Sequence, residues 1–212
     1  PDFIPYWASA PRGPFVVPGE YAVTLAVRQG GRLTELDGPR SFTVKSLPQS
    51  PETSTDPEAV RAFQRKAGDL HRAVQGAIAH VGEMENRVAH VKSGIADTPG
   101  ATEADAQTAR ELSARLADIN VVLNGDRTVS SRNEAVPWSV ARRAGTVYQW
   151  LLDTRSPVPG FYEDSYRVAA DEFAALLPQL NAARDELEAL EARLESLGGP
   201  WTPGRAPLWN ER

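Results

Sequence analysis

The densest concentration of chemically capable side chains lies in the stretch NGDRTVSSRNEAVPWS, residues 124–139, between two helical patterns. Asp126, Arg127, Arg132, Asn133 and Glu134 crowd together there, with Trp138 close behind. Two guanidinium groups can grip a carboxylate through paired hydrogen bonds, and a neighbouring carboxyl group can move a proton. On that reading the segment is a carbohydrate- or carboxylate-binding unit, possible in a hydrolase, with Glu134 as acid or base. The same residues also suit a loop that caps and pairs its own polar groups, and the residue types weigh toward that structural role. Ser130 and Ser131 have no histidine nearby in sequence to activate a hydroxyl, so a serine nucleophile is not expected.

Other constellations carry less. His71, His80 and His90 fall nine and ten residues apart on one helical pattern, whereas two ligands on one helix face need a separation of three or four. His80 and Glu83 have the spacing of a carboxylate-bridged metal site, but no second pair answers them on another helix. No metal and no cofactor is expected. Tyr6, Trp7, Trp201 and Trp209 offer flat rings for stacking on a sugar, or for clasping apolar surface; clasping is the expectation, since apolar surface is available for them. Cysteine is absent, which removes disulfides, thiolate metal sites and a cysteine nucleophile together.

The 212 residues carry a formal charge of −5, and 41% of them are apolar. Basic residues alternate with acidic ones, so neither nucleic acid nor an anionic membrane surface is an expected partner. No apolar run approaches the roughly 20 residues that a bilayer span requires. The first residue is Pro1 rather than methionine, the expectation for a processed or cut piece.

These residues need elements to position them. Residues 1–18 contain five prolines, which favour extended backbone. In YAVTLAVR, Tyr21, Val23, Leu25 and Val27 share one face at the strand period of two; Gly30 and Gly31 supply a turn, and SFTVKS, 41–46, returns. A two-stranded hairpin is marginal alone, so some surface must cover it. The domain reading is a partial immunoglobulin-like β segment over 1–48, a linker over 49–55, a helical bundle over 56–198 and a Pro/Trp-rich extended tail over 199–212.

The first helix is expected from Asp56, with a seam of Val60, Phe63, Ala67, Leu70, Val74, Ala77, Val81, Met84, Val88, Val91 and Ile95 at alternating steps of three and four. A second runs from Thr102 to Asn124, with Asp105 completing a capping box and Leu112, Leu116, Ile119 and Leu123 inside. A third spans about 137–152 through Val140, Ala144, Val147 and Leu151. A fourth runs from Phe161 to Leu197, kinked or split at Pro178. The polar face ARDELEALEARLES is read as solvating that last helix.

Together these elements predict a mainly α fold: an antiparallel four-helix bundle of two long and two short helices, preceded by a hairpin. At 1.5 Å per residue the long helices reach roughly 55–60 Å and the short ones about 24–33 Å. The short pair then closes only the end carrying the turns at 98–100 and 156–160. The long pair continues as a stalk whose far end holds Asp56, Leu197, the hairpin and the tail, with hairpin and tail covering exposed apolar surface.

GPFVVPGEYAVTL followed by SFTVK resembles the closing strands of a small immunoglobulin-like module of the flagellar-hook-capping type. LNGDRTVSSRNEAVPWSV with PWTPGRAPLW resembles the C-terminal region of large secreted bacterial proteins that carry sialidase-like or sortilin-like β-propeller repeats and are often labelled glycosyl hydrolases. The likeness spans nearly the whole chain. It implies that the remaining strands of a sandwich lie upstream, that the partner is the upstream propeller and immunoglobulin-like portion of the same parent protein, and that the location is secreted, periplasmic or cell-envelope. No catalytic residue of that family maps onto a position here. The resulting expectation is a non-catalytic scaffold or interaction module, not an enzyme in itself; oligomerisation through the long helices is a third reading.

Overall fold

Asp56 opens the first helix as its residue type predicts. In the computed structural model, which describes residues 13–46, 56–132, 134–152 and 154–207, its carboxylate accepts the Ala59 N–H at 2.9 Å, satisfying one of the donors that a helix start leaves unpaired. Helix α1 then runs Pro57–Ile95. Helix α2 is Glu103–Asn124, α3 the single turn Arg127–Ser130, α4 Val140–Leu152 and α5 Gly160–Ser196. Strands β1, Gly19–Gln29, and β2, Arg32–Val44, form an antiparallel pair. The described residues are thus mainly helical with one small hairpin. The expected linker at 49–55, Tyr6, Trp7 and Trp209 lie outside the described residues.

Two compact units divide the chain. One contains the hairpin, α1 as far as Lys66, and Tyr148–Pro159. Within it, Gln64 donates its side-chain amide to the Leu151 carbonyl at 3.1 Å, and the Arg155 guanidinium lies 4.8 Å from the centre of the Phe15 ring. Gln64 and Leu151 are both buried, so this bond joins the second turn of α1 to the last turn of α4.

The other unit, Ala67–Val147 and Gly160 onward, holds the main core. Val74, Val81, Met84, Val88 and Val91 of α1 meet Leu112, Leu116, Ile119 and Leu123 of α2, Val140 and Ala144 of α4, and Phe173, Leu180, Leu187 and Leu194 of α5 in one apolar cluster. The seam of three-four steps is therefore buried as its period predicts.

The directions of the helices differ from the expected arrangement. Arg87 of α1 pairs with Glu191 of α5, Tyr166 of α5 lies in the field of Asp69, and a Cβ on Gly100 would sit 3.6 Å from Leu197. Residue numbers rise together, so α1 and α5 are parallel. Asn120 reaches Glu85 at 3.3 Å and Gly145 adjoins His71, so α2 and α4 both oppose α1. Asp105 and Arg115 of α2 pair with Arg193 and Glu186 of α5, so α2 opposes α5 as well. Leu197 consequently lies beside the 98–100 turn, and within the other unit Leu151 lies beside Gln64 of α1. In the main-core unit the expected pair of bare helices is not seen, because α2 and α4 pack with α1 and α5 in one apolar cluster. The 22 and 13 residues of α2 and α4 together approach the 39 and 37 of α1 and α5.

Helix α5 passes through Pro178 without splitting. Proline lacks the N–H that the Ala174 carbonyl would accept, and residues 177–179 are exposed, so water can serve that carbonyl. Its end is a glycine stop: Gly198 takes φ +83° and the Gly199 N–H returns to the Leu194 carbonyl at 2.9 Å.

The hairpin turns at Gly30 and Gly31, with φ of +57° and +79°, between the paired residues Gln29 and Arg32. That is the two-residue turn whose twist suits paired strands. The return strand begins at Arg32, well before the expected residue 41, because Asp37-Gly38-Pro39 is absorbed as an irregularity opposite Val23–Ala26 instead of forming a loop. Gly38 holds φ +116°, and a Cβ there would meet the Val23 carbonyl oxygen at 2.8 Å. Gly38→Ala is expected to break pairing at this point, seen as loss of hydrogen-exchange protection in β1 and β2 with the amides of α2 unchanged.

Apolar side chains of the hairpin are exposed. Val23 and Leu25 are 56% and 61% exposed, and Val27, Leu33, Leu36 and Phe42 are exposed too. The main-core seam of α1 is already closed by α2, α4 and α5, which leaves that unit no bare helix pair in need of a cover.

Candidate functional site

The polar segment after α2 folds on itself. Gly125 ends α2 with φ +87°, and Asp126 caps the short α3, accepting from Thr128 N–H at 2.8 Å and Val129 N–H at 3.3 Å. Those two backbone bonds, the Thr128 bond first, hold the Asp126 carboxyl below its ordinary pKa. Ser130 and Ser131 donate to the Arg127 and Thr128 carbonyls. Arg132 donates to the Thr128 carbonyl at 3.3 Å and lies 3.8 Å from Glu134. Trp138 has Arg142 of α4 4.5 Å from the centre of its ring. Arg127 is exposed, and Asn133 lies outside the described residues. The hydroxyl groups and the Asp126 carboxylate of the segment bond to the turn that contains them. Its residues after the turn lead to Ser139, whose side chain accepts the Arg142 N–H at 3.3 Å to start α4.

The buried charge lies elsewhere. Glu191 of α5 has a fully buried side chain, and Arg87 of α1 grips it with two N–H groups at 2.9 and 2.5 Å. Two residues after α5 complete the shell: the Thr202 hydroxyl donates to Glu191 Oε1 at 2.8 Å, and Arg205 reaches Oε2 at 3.4 Å. Arg205 also lies 2.5 Å from Glu195. The bonds to Glu191 raise the pKa of Arg87 further. A shallow crevice of water size adjoins the cluster, lined by His90, Gly94, Thr98 and Pro200 among others.

The sequence reading missed this cluster by assigning the whole charged run of α5 to solvent. A signal was present. Glu191 lies four residues after Leu187 and three before Leu194, and Arg87 lies three after Met84 and four before Val91, so each charge sits inside an apolar stripe rather than opposite it. A carboxylate held by two arginines and a hydroxyl has its lone pairs occupied and its charge balanced, which suits it to fix helices in place.

The histidines do not converge. His71 is half-buried beside Gly145, burial lowering its pKa; His80 is half-buried, and His90 is exposed with Nδ1 2.8 Å from the Asn86 carbonyl. Among the described residues, no three histidine or carboxylate side chains gather at one point, and no helix is long and apolar enough to cross a membrane. Compared with protein-family models, curated proteins and solved structures, the chain matches none of them.

Proposed function

We propose that this chain is a non-catalytic scaffold and interaction module of a larger secreted β-propeller protein, and that the hairpin is its contact surface. The observation that carries the reading is the exposed row Val23, Leu25 and Val27 with Phe42. Tyr21, on the same face, pairs with Phe42 across the strands, the rings 6.0 Å apart. A two-stranded ribbon with apolar side chains in water gains by being covered, and its free edges can accept another strand. The occupant is the strand-rich portion of the same parent protein that the family resemblance implies. The self-bonded turn after α2 and the charge-balanced Glu191 cluster support a structural role for the groups most capable of chemistry.

The test is titration calorimetry of the chain against the separately produced preceding portion of its parent protein. Leu25→Glu with Val27→Glu is expected to weaken that binding at least about tenfold, with the thermal midpoint of the helical part unchanged. Binding indifferent to these changes overturns the reading, as does tight binding of a small carboxylate or sugar that Arg127→Ala and Arg132→Ala abolish.

A further inference from the structure

The chain beyond α5 is fastened almost entirely by side chains. Among the described residues, the backbone of 200–207 makes one hydrogen bond, from Arg205 N–H to the Thr202 carbonyl at 3.4 Å. The Pro200 ring occupies the space left by the missing side chain of Gly94, where a Cβ would come within 2.9 Å of it. Thr202 and Arg205 hold the Glu191 carboxylate. Trp201, between Pro200 and Thr202, is 40% exposed, with Arg205 5.7 Å from the centre of its ring.

We propose that Pro200–Arg205 is a strap that opens and closes as one unit on the seam between α1 and α5, with Glu191 as its catch and Gly198–Gly199 as its hinge. Opening removes the Thr202 and Arg205 bonds and the Pro200 contact, yet leaves Glu191 in the two-pronged grip of Arg87. The carboxylate is never stranded, so the open state costs far less than unfolding the bundle. Gly198 already holds a left-handed backbone, and Gly199, close against Thr98 and bonded to the Leu194 carbonyl, is the anchored point from which the strap departs. An open strap uncovers Val91, Leu194 and the Gly94 seat. The strap itself shows what that seat accepts: a proline followed two residues later by a hydroxyl and five residues later by a guanidinium. The strap is thus an internal occupant that any segment of that form must displace.

Hydrogen exchange on the full chain tests this. The amide of Arg205, which among the described residues alone carries the strap's backbone hydrogen bond, is expected to exchange much faster than that of Leu116 in the core. Arg205→Gln and Thr202→Val are each expected to speed strap exchange about tenfold, leaving Leu116 unchanged. Gly94→Ala separates the strap from the bundle most sharply. Alanine is the better helix former, so α1 keeps or gains protection while the blocked Pro200 seat loosens the strap. An Arg205 amide that exchanges only at the rate of Leu116, or variants that shift both equally, overturn the proposal.

Discussion

Arg87→Ala is expected to lower the unfolding free energy by about 3 kcal/mol or more, read as a fall in the urea midpoint with an unchanged slope. The reason lies in what remains. Glu191 is fully buried, and without Arg87, among the described residues, Arg205 at 3.4 Å is the one positive charge that still faces it. Arg205 is shared with Glu195 and sits on the strap. Removing one member of a buried pair leaves a carboxylate that water cannot reach, and the desolvation cost then appears almost undiluted. The control is the double variant Arg87→Met with Glu191→Leu, which removes both charges and keeps apolar volume. It is expected to regain most of the lost stability, because a buried ion pair adds little beyond what well-packed methylenes supply. Arg184→Ala, on the exposed side of α5 next to Asp185, is expected to change stability by under about 0.5 kcal/mol. A fall in the double variant as large as in the single one would mean that the pair holds the α1–α5 register actively, and not only that it must not be broken.

The parallel course of α1 and α5 explains why such a pair falls here. Two helices joined by a short loop are held in register by the loop itself. These two have the whole of α2 and α4 between them in sequence, and their C-terminal ends meet without any direct connection. Arg87 and Glu191, the Schellman turn at Gly198 and the residues after it supply the missing link. Apolar surface alone specifies that two helices touch; it is weaker at specifying how far one slides along the other.

Individual elements could be read from the chain because their signals are local. The stripe from Val60 to Val91, the N-cap at Asp56, the Thr102/Asp105 start of α2 and the glycine turn at 30–31 each depend on residues within a few positions. Helix direction does not. The segment 125–139 carries a glycine stop, prolines and a polar cluster, which is what a reversal of direction looks like; here the chain folds into one capped turn and resumes the same heading, so that Leu123 and Val140 join one core. Length held the clue: the summed extents of α2 and α4 approach that of α1, whereas α2 alone spans little more than half of it and α4 alone a third. In the hairpin the conflict ran the other way. Asp37-Gly38-Pro39 reads as a loop, but a long partner strand can absorb an irregularity without ending. The chemically suggestive residues Asp126, Arg132 and Glu134 were legible as a cluster, though residue type alone could not distinguish a ligand site from a turn that satisfies itself. Glu191 was hidden by composition, since one buried glutamate among exposed ones is visible only through its phase in the stripe.

Asp105→Ala is expected to lower stability by about 2 kcal/mol at neutral pH and to flatten the acid limb of the stability curve. Its side chain is 6% exposed. It accepts Arg193 Nε of α5 at 2.6 Å, and both the backbone N–H and the hydroxyl of Thr102 at 2.8 Å. These bonds, Arg193 first and Thr102 second, outweigh burial and hold the carboxyl well below the usual carboxylate range. A folded pKa below the unfolded one means that the unfolded chain binds the proton first. The contribution is therefore complete above the ordinary aspartate pKa near 4, and shrinks as pH falls from there toward the depressed folded value. Urea midpoints measured from pH 7 down to about pH 2 should show the wild-type chain losing more stability than the variant, the two curves converging in acid. Parallel curves would mean that Asp105 is not the group responsible. Arg193→Ala should take only part of the effect, because the Thr102 donors stay in place and Arg193, 51% exposed, is not left stranded by the reverse change. Since Asp105 and Arg193 can meet only if α2 descends past a rising α5, exchanging them as Asp105→Arg with Arg193→Asp carries a further consequence. The swap should restore some coupling between the two helices while still losing the cap, so a double variant more stable than the sum of its singles predicts would be the energetic signature of the antiparallel α2–α5 pair.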